Sequence, residues 1–269
     1  MKKEKSMNQK NRFKLWQILY PIAIYYVVSS LAYYGLEVIF GVTTTENYMV
    51  RQMLCGAISI PFILRFYVED KKARDVVYGA KSFCLDGMQI KNILLTIATA
   101  ATAGMAVNNL IAMTPMTQAS AGFQNANASF FGGELAFQLL GSCLIIPVAE
   151  ELVFRGVVYQ RIRVYFDVKV ALLFSALIFG IVHANLVQFL YAALLGILLA
   201  FLYEKTGYFY VPVLGHITAN TIAVIRTATG WLDFSYEPTA EGICFTAVLF
   251  AVAAGLIWYQ VKEYRTTVL

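Results

Sequence analysis

The sequence predicts an all-α, polytopic membrane protein, a bundle of about eight transmembrane helices with both termini in the cytoplasm. Of the 269 residues, 59% are hydrophobic and only 14% are charged, and the mean hydropathy is +0.64. Because charged residues make up about a quarter of a typical soluble chain, this composition indicates a protein embedded in a bilayer. The apolar runs give the number of helices, and the basic residues give their direction.

Eight apolar runs approach or exceed the length of about 20 residues that a transmembrane helix needs. They are residues 15–36, 48–68, 93–113, 135–158, 169–184, 187–204, 208–226 and 243–260. Only a turn near "HANL" separates the fifth run from the sixth, so these two are predicted to form a tight hairpin. The chain is predicted to begin with a basic cytoplasmic N-terminus (1–14), followed by three helices with their loops (15–134). A core of helices four to seven (135–226) follows, and the chain ends with a last helix and a cytoplasmic C-terminus (227–269).

The lysines and arginines set the predicted orientation, because these residues accumulate in cytoplasmic loops. With a cytoplasmic N-terminus, all but two of the 21 lysines and arginines fall in inside segments, the exceptions being Arg51 and Arg226. The formal charge of +5 is therefore explained by topology, and no nucleic-acid partner is expected. The uncharged loop 114–133 falls outside and is predicted to be a flexible connection that can include a short interfacial helix.

Residues 149–156, "AEELVFRG", place two glutamates and an arginine at the end of an apolar run. Charged side chains at membrane depth cost roughly 2.5–3.5 kcal/mol each and usually belong to functional sites. Glu151 and Arg155 are four residues apart, in the favourable order for an ion pair on one helix face. Glu150 lies about 100° around the helix and has no local partner, which leaves it available as a general base. The alternative is that all three residues mark the cytoplasmic end of the helix.

The chain has only two histidines, and both lie in apolar runs. His183 ends "FSALIFGIVH", with Phe179 one turn earlier on the same helix face. His216 opens "HITAN", with Asn220 one turn later on the same face. Together with the Glu-Glu-Arg cluster, these residues on consecutive spans predict one polar site within the membrane. Other polar residues are predicted to form interhelical hydrogen bonds or to lie at helix ends: Glu37, Asn108, Asn109, Gln138 and Gln188.

These residue types can hydrolyse a peptide bond, which requires an activated water molecule and donors to the developing oxyanion. Glu150 could take the proton from water, while the two imidazoles and the Asn220 amide could hold the water and the oxyanion. Zinc is the alternative, with Glu150, His183 and His216 as ligands and water in the fourth position. A metal-free reaction that requires no cofactor is favoured, because no HExxH motif places two ligands on one helix.

Three motifs carry a resemblance to a known family. "EELVFR" matches EExxxR, "FGIVH" matches FxxxH and "HITAN" matches HxxxN, in this order and roughly 30 residues apart. They resemble the motifs of the CAAX protease and bacteriocin-processing family, also called the Abi family, which includes the type II CAAX prenyl endopeptidase of eukaryotes. The resemblance covers about residues 135–225, including the connection "YEKTGYFYVPVLGH". It implies a bundle of about eight spans with a cavity open to the cytoplasm.

The family implies specific roles for the motif residues. The implied catalytic residues are Glu150, His183, His216 and Asn220. The implied supporting residues are Glu151, Arg155 and Phe179. The implied activity is that of an intramembrane endopeptidase, acting from the cytoplasmic side of a bacterial cell membrane on membrane-bound or lipidated peptides or proteins. Nothing in the sequence sets the oligomeric state.

Two other functions fit parts of the pattern. A non-enzymatic membrane partner, such as a bacteriocin-immunity or regulatory protein, could keep the motif residues as a binding or packing cluster. A proton-coupled transporter could use carboxylates and histidines as a relay, but it predicts inverted repeats and the sequence has no visible repeat. Other intramembrane proteases are excluded, because the chain lacks HExxH and a GxSxG-like serine elbow and its aspartates all fall in predicted loops.

A single site requires that Glu150 and His183 lie within about 10 Å, since one water molecule must reach both. Glu150 is only five residues from Arg155, whereas His183 is 14 residues beyond Lys169. If both basic residues mark the cytoplasmic interface, the two site residues lie at different depths. The fifth helix is therefore predicted to begin in the cytoplasm or to tilt strongly.

Overall fold

The structure is a computed structural model that describes residues 15–78 and 86–264, and these ranges contain helices and connections but no strand. The predicted basic N-terminus, 1–14, lies outside the described residues, as does part of the predicted cytoplasmic loop after the second span. The described helices are α1 (Leu15–Phe40), α2 (Thr45–Tyr78), α3 (Gly87–Ala112), α4 (Met116–Ala119), α5 (Ala121–Phe131), α6 (Leu135–Arg163), α7 (Val168–Ile181), α8 (Leu186–Thr206), α9 (Tyr210–Thr229) and α10 (Ala240–Glu263). A 3-10 turn, Asp233–Tyr236, precedes α10.

Each of the eight predicted spans coincides with one of these helices, and the polytopic helical bundle is confirmed. Six helices are long and apolar enough to cross a membrane: α1, α2, α3, α6, α8 and α10. Helix α7 has 14 residues, or about 21 Å, which is less than the roughly 30 Å of a hydrocarbon core. Eight crossings, and the cytoplasmic location of the termini, therefore stay predictions.

Helices α7 and α8 form the predicted tight hairpin. Two glycines allow the close approach: a β-carbon on Gly180 would lie 2.9 Å from the backbone oxygen of Phe189, and one on Gly196 would lie 3.2 Å from Ala176. Asn185 begins α8 by accepting a hydrogen bond from the backbone N–H three residues later at 2.9 Å, as an N-cap residue does. The turn lies about 20 Å along α7 from its first residue, and residues 181–186 are half-buried or exposed.

Helix α6 runs through the centre of the bundle, and two of its segments are π-helical. These segments, Leu139–Ile145 and Leu152–Tyr159, flank the short α-helical stretch Ile146–Glu151 that carries both glutamates. Every residue of the second π segment is buried. Since π turns are rare and often occur at functional sites, the irregular backbone makes the middle of α6 a candidate functional region.

The connections between helices lie at two opposite ends of the bundle. What we call the basic end contains the last turns of α2, α6, α8 and α10 and the first turns of α3, α7 and α9. Three ion pairs join helices there: Arg161–Asp70 at 2.7 Å, Arg163–Glu204 at 3.0 Å and Lys91–Glu263 at 2.6 Å. What we call the opposite end consists of the connections 41–44, 113–134 and 230–239.

The two basic residues that the topology prediction placed outside, Arg51 and Arg226, are both buried. Arg51 donates to the Gly41 carbonyl at 2.7 Å, at the C-terminal end of α1. Arg226 donates to the side chains of Asn109 at 2.8 Å and Ser235 at 2.7 Å. Because these charges are held by protein acceptors and not by water, they do not weaken the bias of exposed basic residues towards the basic end.

The Arg226 contacts predict a stability effect. Arg226→Ala removes two buried hydrogen bonds and leaves the Asn109 oxygen without that donor, which costs about 1–3 kcal/mol. We therefore expect a lower unfolding temperature for this variant, measured on purified protein in detergent. Arg65→Ala is the matched control, because the Arg65–Glu69 pair is exposed and is worth about 0–1 kcal/mol. Equal unfolding temperatures for Arg226→Ala and wild type would contradict the prediction.

Candidate active site

A cavity of about 400 Å³ lies among α3, α5, α6, α7, α8 and α9 in the described part of the chain. Five residues of the three motifs line it: Glu150, Phe179, His183, His216 and Asn220. The other two motif residues, Glu151 and Arg155, lie directly behind them and are fully buried. The structure therefore brings all seven sequence-predicted residues into one place.

Glu150 and His216 face each other at the cavity wall. The Nε2 atom of His216 lies 3.8 Å from Oε2 of Glu150, a spacing that one water molecule can bridge. The Nδ1 atom of His216 lies 2.8 Å from Oε1 of Glu151. A carboxylate paired with an arginine accepts hydrogen bonds, so Nδ1 of His216 donates to Glu151, and in the neutral ring the lone pair is on Nε2. Glu150 is 18% exposed and Glu151 is 0% exposed, so Glu150 is the glutamate that a ligand can reach.

The buried Arg155 completes a row of contacts behind the cavity. Its Nη1 donates to the same Glu151 oxygen at 2.7 Å. Its guanidinium carbon lies 4.4 Å from the centre of the Phe179 ring, within the range of a cation–π contact. A β-carbon on Gly196 would lie 3.1 Å from Nη2 of Arg155, so a glycine at this point of α8 makes room for the guanidinium.

His183 lies just beyond the C-terminal end of α7 and packs on the other side of Phe179. Its Nδ1 lies 2.8 Å from the Phe179 carbonyl oxygen. Since a carbonyl can only accept, Nδ1 carries a proton, and in the neutral ring the lone pair is on Nε2. The Phe179 ring contacts His183 and His216 edge-on, with centroids 5.0 and 5.8 Å away. Ala184 follows with φ of 60°, a backbone conformation that non-glycine residues seldom adopt.

The expected mismatch in depth between Glu150 and His183 does not arise, because Arg155 does not mark a helix end. The predicted fourth span ended at residue 158, whereas α6 continues to Arg163 and buries Arg155 in the bundle. Glu150 thus lies 13 residues before the end of α6, and His183 lies 15 residues after the start of α7. These spacings correspond to about 20 and about 22 Å from a shared short connection, which places both residues at similar depth.

Asn220 is held by a backbone group that the motifs do not include. Its Nδ2 donates to the Ser142 carbonyl at 2.7 Å. That carbonyl is available because the Ile146 N–H bonds to Gly141 and the next residue is Pro147, which has no N–H. Ser142 is therefore a site residue that the sequence analysis missed, although a proline three residues before Glu150 was a visible signal.

Residues from the opposite end complete the lining and were also missed. The segment 114–133 contains α4 and α5, and Ser120 caps α5 by accepting from the Phe123 N–H at 3.2 Å. Four residues of α5 line the cavity: Phe123, Asn127, Phe130 and Phe131. Their spacing of four, three and one is a helical pattern, so the sequence did contain a signal for this helix. Asn108 and Gln188, predicted to be packing residues, line the cavity as well.

The predicted zinc ligands do not form a binding group. In the described ranges, no three side chains of His, Cys, Asp or Glu come close enough together to hold one metal ion. Glu150 and His216 form a close pair, while His183 belongs to the same cavity through Phe179.

Comparison with known proteins covers the helices that carry the site. Residues 132–222 match the family model described as "Type II CAAX prenyl endopeptidase Rce1-like". "Putative membrane peptidase YdiL" of Bacillus subtilis (strain 168) is 37% identical over 91 residues, which are 32% of this chain and 36% of that protein. The match thus spans about a third of the length of that relative, and no solved structure matches the chain. The resemblance predicted from the three motifs is confirmed over this part of the chain: residues 132–222 of this multi-pass membrane protein are similar to the Rce1-like type II CAAX prenyl endopeptidase family.

Proposed function

We propose that this protein is an intramembrane endopeptidase in which Glu150 activates a water molecule for attack on a peptide bond. The observation that carries the proposal is the 3.8 Å approach of Glu150 and His216 inside a cavity that also contains His183 and Asn220. The Rce1-like domain and the relative with a membrane-peptidase name support it. The substrate class that fits such a membrane site is a membrane-bound or lipidated peptide or protein.

In the first step, a water molecule lies between Oε2 of Glu150 and Nε2 of His216. Glu150 accepts one proton from the water, and His216 accepts a hydrogen bond from the other. The water oxygen then forms a bond to the carbonyl carbon of the substrate, and the carbonyl oxygen takes the negative charge. General-base assistance of this kind typically contributes about 10²–10⁴ in rate.

In the second step, the proton held by Glu150 passes to the nitrogen of the scissile bond. The carbon–nitrogen bond breaks, and a carboxylic acid and an amine leave. Glu150 regains its starting state, so no group of the protein is consumed.

We infer the roles of the two imidazoles from their hydrogen bonds. When both rings are neutral with the proton on Nδ1, each Nε2 atom accepts and does not donate. His183 and His216 therefore orient water and substrate N–H groups, and the oxyanion needs another donor. The second N–H of the Asn220 amide can supply it, because only one of the two is needed for Ser142. Removing a donor of this type from an oxyanion site costs roughly 10²–10³ in rate.

The loss of the Glu150 base is the most direct functional prediction. Glu150→Gln keeps the side-chain shape but cannot accept the proton, so kcat should fall by at least about 100-fold. The unfolding temperature should stay unchanged, because Glu150 lines the cavity and is not the partner of Arg155. The measurement is cleavage of a panel of quenched apolar peptides, with and without a lipidated cysteine, by purified protein. Glu69→Gln, an exposed glutamate, is the control, and cleavage by Glu150→Gln at the wild-type rate would show that Glu150 is not the base.

Replacing the buried ion pair separates stability from activity. Glu151→Met alone leaves the Arg155 charge buried and should lower stability by about 3–5 kcal/mol, whereas Glu151→Met with Arg155→Met should recover most of it. Both variants deprive His216 of its carboxylate, so activity should fall about 10–100-fold in each, the usual effect of losing such a supporting group. Thermal unfolding and peptide cleavage of the two variants provide the test. Full activity in the double variant would show that His216 does not need Glu151.

The metal-free mechanism predicts that a chelator does not change the rate of peptide cleavage. Purified protein treated with a strong zinc chelator and then separated from it should cleave the same peptides at an unchanged rate. Elemental analysis of the same sample should find less than one zinc per chain. Loss of cleavage that one equivalent of zinc restores would replace this mechanism with the zinc alternative on Glu150, His183 and His216.

A further inference from the structure

The cavity has a second polar patch that contains no residue of the three motifs. Asn108 of α3, Thr227 of α9 and Tyr236 of the 3-10 turn line it. All three lie outside residues 132–222, the range of the family match. None of them takes part in the proposed reaction, so this polar surface needs an explanation of its own.

A buried arginine holds Tyr236 in place. Arg226 is 1% exposed, and its guanidinium carbon lies 4.0 Å from the centre of the Tyr236 ring, within the range of a cation–π contact. Its Nη2 also donates to the Ser235 hydroxyl at 2.7 Å and to the Leu232 carbonyl at 3.3 Å. Because these contacts involve the ring and the turn but not the hydroxyl, Arg226 orients Tyr236 and leaves its hydroxyl available to a ligand.

The turn that carries Tyr236 is also packed against α10. A β-carbon on Gly242 would lie 2.3 Å from the Glu237 carbonyl oxygen and 2.9 Å from that of Phe234, so a glycine is needed for this close approach. The rings of Phe234 and Phe245 make an edge-on contact, with centroids 5.4 Å apart. A side chain that is already held in place loses little freedom when a ligand binds, so Tyr236 is well prepared for binding.

Asn108 lies beside the Tyr236 hydroxyl, with its Nδ2 3.5 Å from the hydroxyl oxygen. The next residue, Asn109, accepts from Arg226 at 2.8 Å and donates to Thr246 at 3.1 Å, which ties α3 to the same arginine. Within the described ranges, no protein group accepts from the Tyr236 hydroxyl and none donates to the Asn108 amide oxygen. A donor and an acceptor side by side match the C=O and N–H groups of a peptide backbone.

Helix α9 sets the distance between this pair and the motif residues. Arg226, which contacts the Tyr236 ring, follows His216 by ten residues, or about 15 Å along the helix. The cavity follows α9 over this stretch, because Asn220 and Ala223 also line it. An extended peptide covers about 3.3 Å per residue, so about four to five residues span the distance.

We propose that Asn108 and Tyr236 form a subsite for the backbone of the substrate peptide, about four to five residues from the scissile bond, and that Arg226 is the positioning residue of this subsite. The Tyr236 hydroxyl donates to a substrate carbonyl, and the Asn108 amide oxygen accepts from a substrate N–H. The inference rests on the proposed peptidase function, because the pair binds the substrate of that reaction. Since backbone contacts do not distinguish side chains, the subsite favours longer peptides whatever their sequence.

Peptide length tests the subsite. Tyr236→Phe removes the hydroxyl and keeps the ring against Arg226, and Tyr34→Phe, at an exposed tyrosine of α1, is the matched control. For quenched peptides with about six residues on each side of the scissile bond, which reach the pair, Tyr236→Phe should raise KM about 2–10-fold at unchanged kcat, as the loss of one binding hydrogen bond does. For peptides with about two residues on each side, which are too short to reach it, KM should equal that of wild type. An unchanged KM on the long peptides, or an equal rise on the short ones, overturns the subsite.

The same peptides test the other two residues. Asn108→Ala removes the acceptor, and Arg226→Lys keeps the charge but not the hydrogen-bonding geometry of the guanidinium. Both should raise KM on the long peptides and leave it unchanged on the short ones. A role of Arg226 in stability alone would give equal KM values for Arg226→Lys and wild type on the long peptides, and this result would overturn its positioning role.

Binding to a protein that lacks the base separates this inference from the proposed function. The probe is the long peptide with a fluorescein label, and fluorescence anisotropy measures its binding to Glu150→Gln in detergent. Adding Tyr236→Phe should weaken this binding by about 2–10-fold. Equal binding by both proteins, with cleavage by wild type, overturns the subsite and leaves the peptidase proposal intact. Binding that Tyr236→Phe weakens, without cleavage by wild type, supports the subsite and counts against the peptidase proposal.

Discussion

The carboxylate of Glu151 is the group on which the rest of the site depends. It is completely buried, and one of its oxygens accepts hydrogen bonds from both Arg155 and His216. A buried ion costs several kcal/mol unless close partners compensate for the lost water, so this oxygen, the guanidinium and the imidazole must stay together. Their contact orients His216 towards Glu150 and sets Arg155 against the Phe179 ring. The ring in turn contacts both histidines.

The backbone of α6 makes the second contribution. A π segment and a proline together release the Ser142 carbonyl from the helix ladder, and Asn220 uses it as an acceptor. The irregularity would be costly in lipid, where free backbone groups have no water to bind. Here a neighbouring helix supplies the donor, so the same feature joins α6 to α9 and fixes an amide beside the reacting groups.

Part of this arrangement could be predicted from the sequence. Hydropathy predicted the helices, because a lipid-exposed run must be apolar whatever its neighbours are. The three motifs predicted the residues that meet in the cavity, although their catalytic roles stay predictions. A hydropathy analysis treats a charged residue as the end of a span, so it placed Arg155 at the membrane interface. It could not reveal that contacts with Glu151 and Phe179 compensate for the burial of the Arg155 side chain. The Ser142 carbonyl could not be found from side-chain motifs. A short helix was predicted within the loop 114–133, but its sequence did not reveal that α5 lines the cavity.

The central claim, that Glu151 holds His216 with Nε2 facing Glu150, can be measured directly because the chain has only two histidines. Solid-state nitrogen NMR of the histidine-labelled protein in bilayers distinguishes the two ring nitrogens, and a His183→Gln sample assigns the signals. We predict a proton on Nδ1 of His216 that is hydrogen-bonded to a carboxylate, and no proton on Nε2. A proton on Nε2 with an unprotonated Nδ1 would mean that Glu151 does not orient His216, and the account of the site would be wrong.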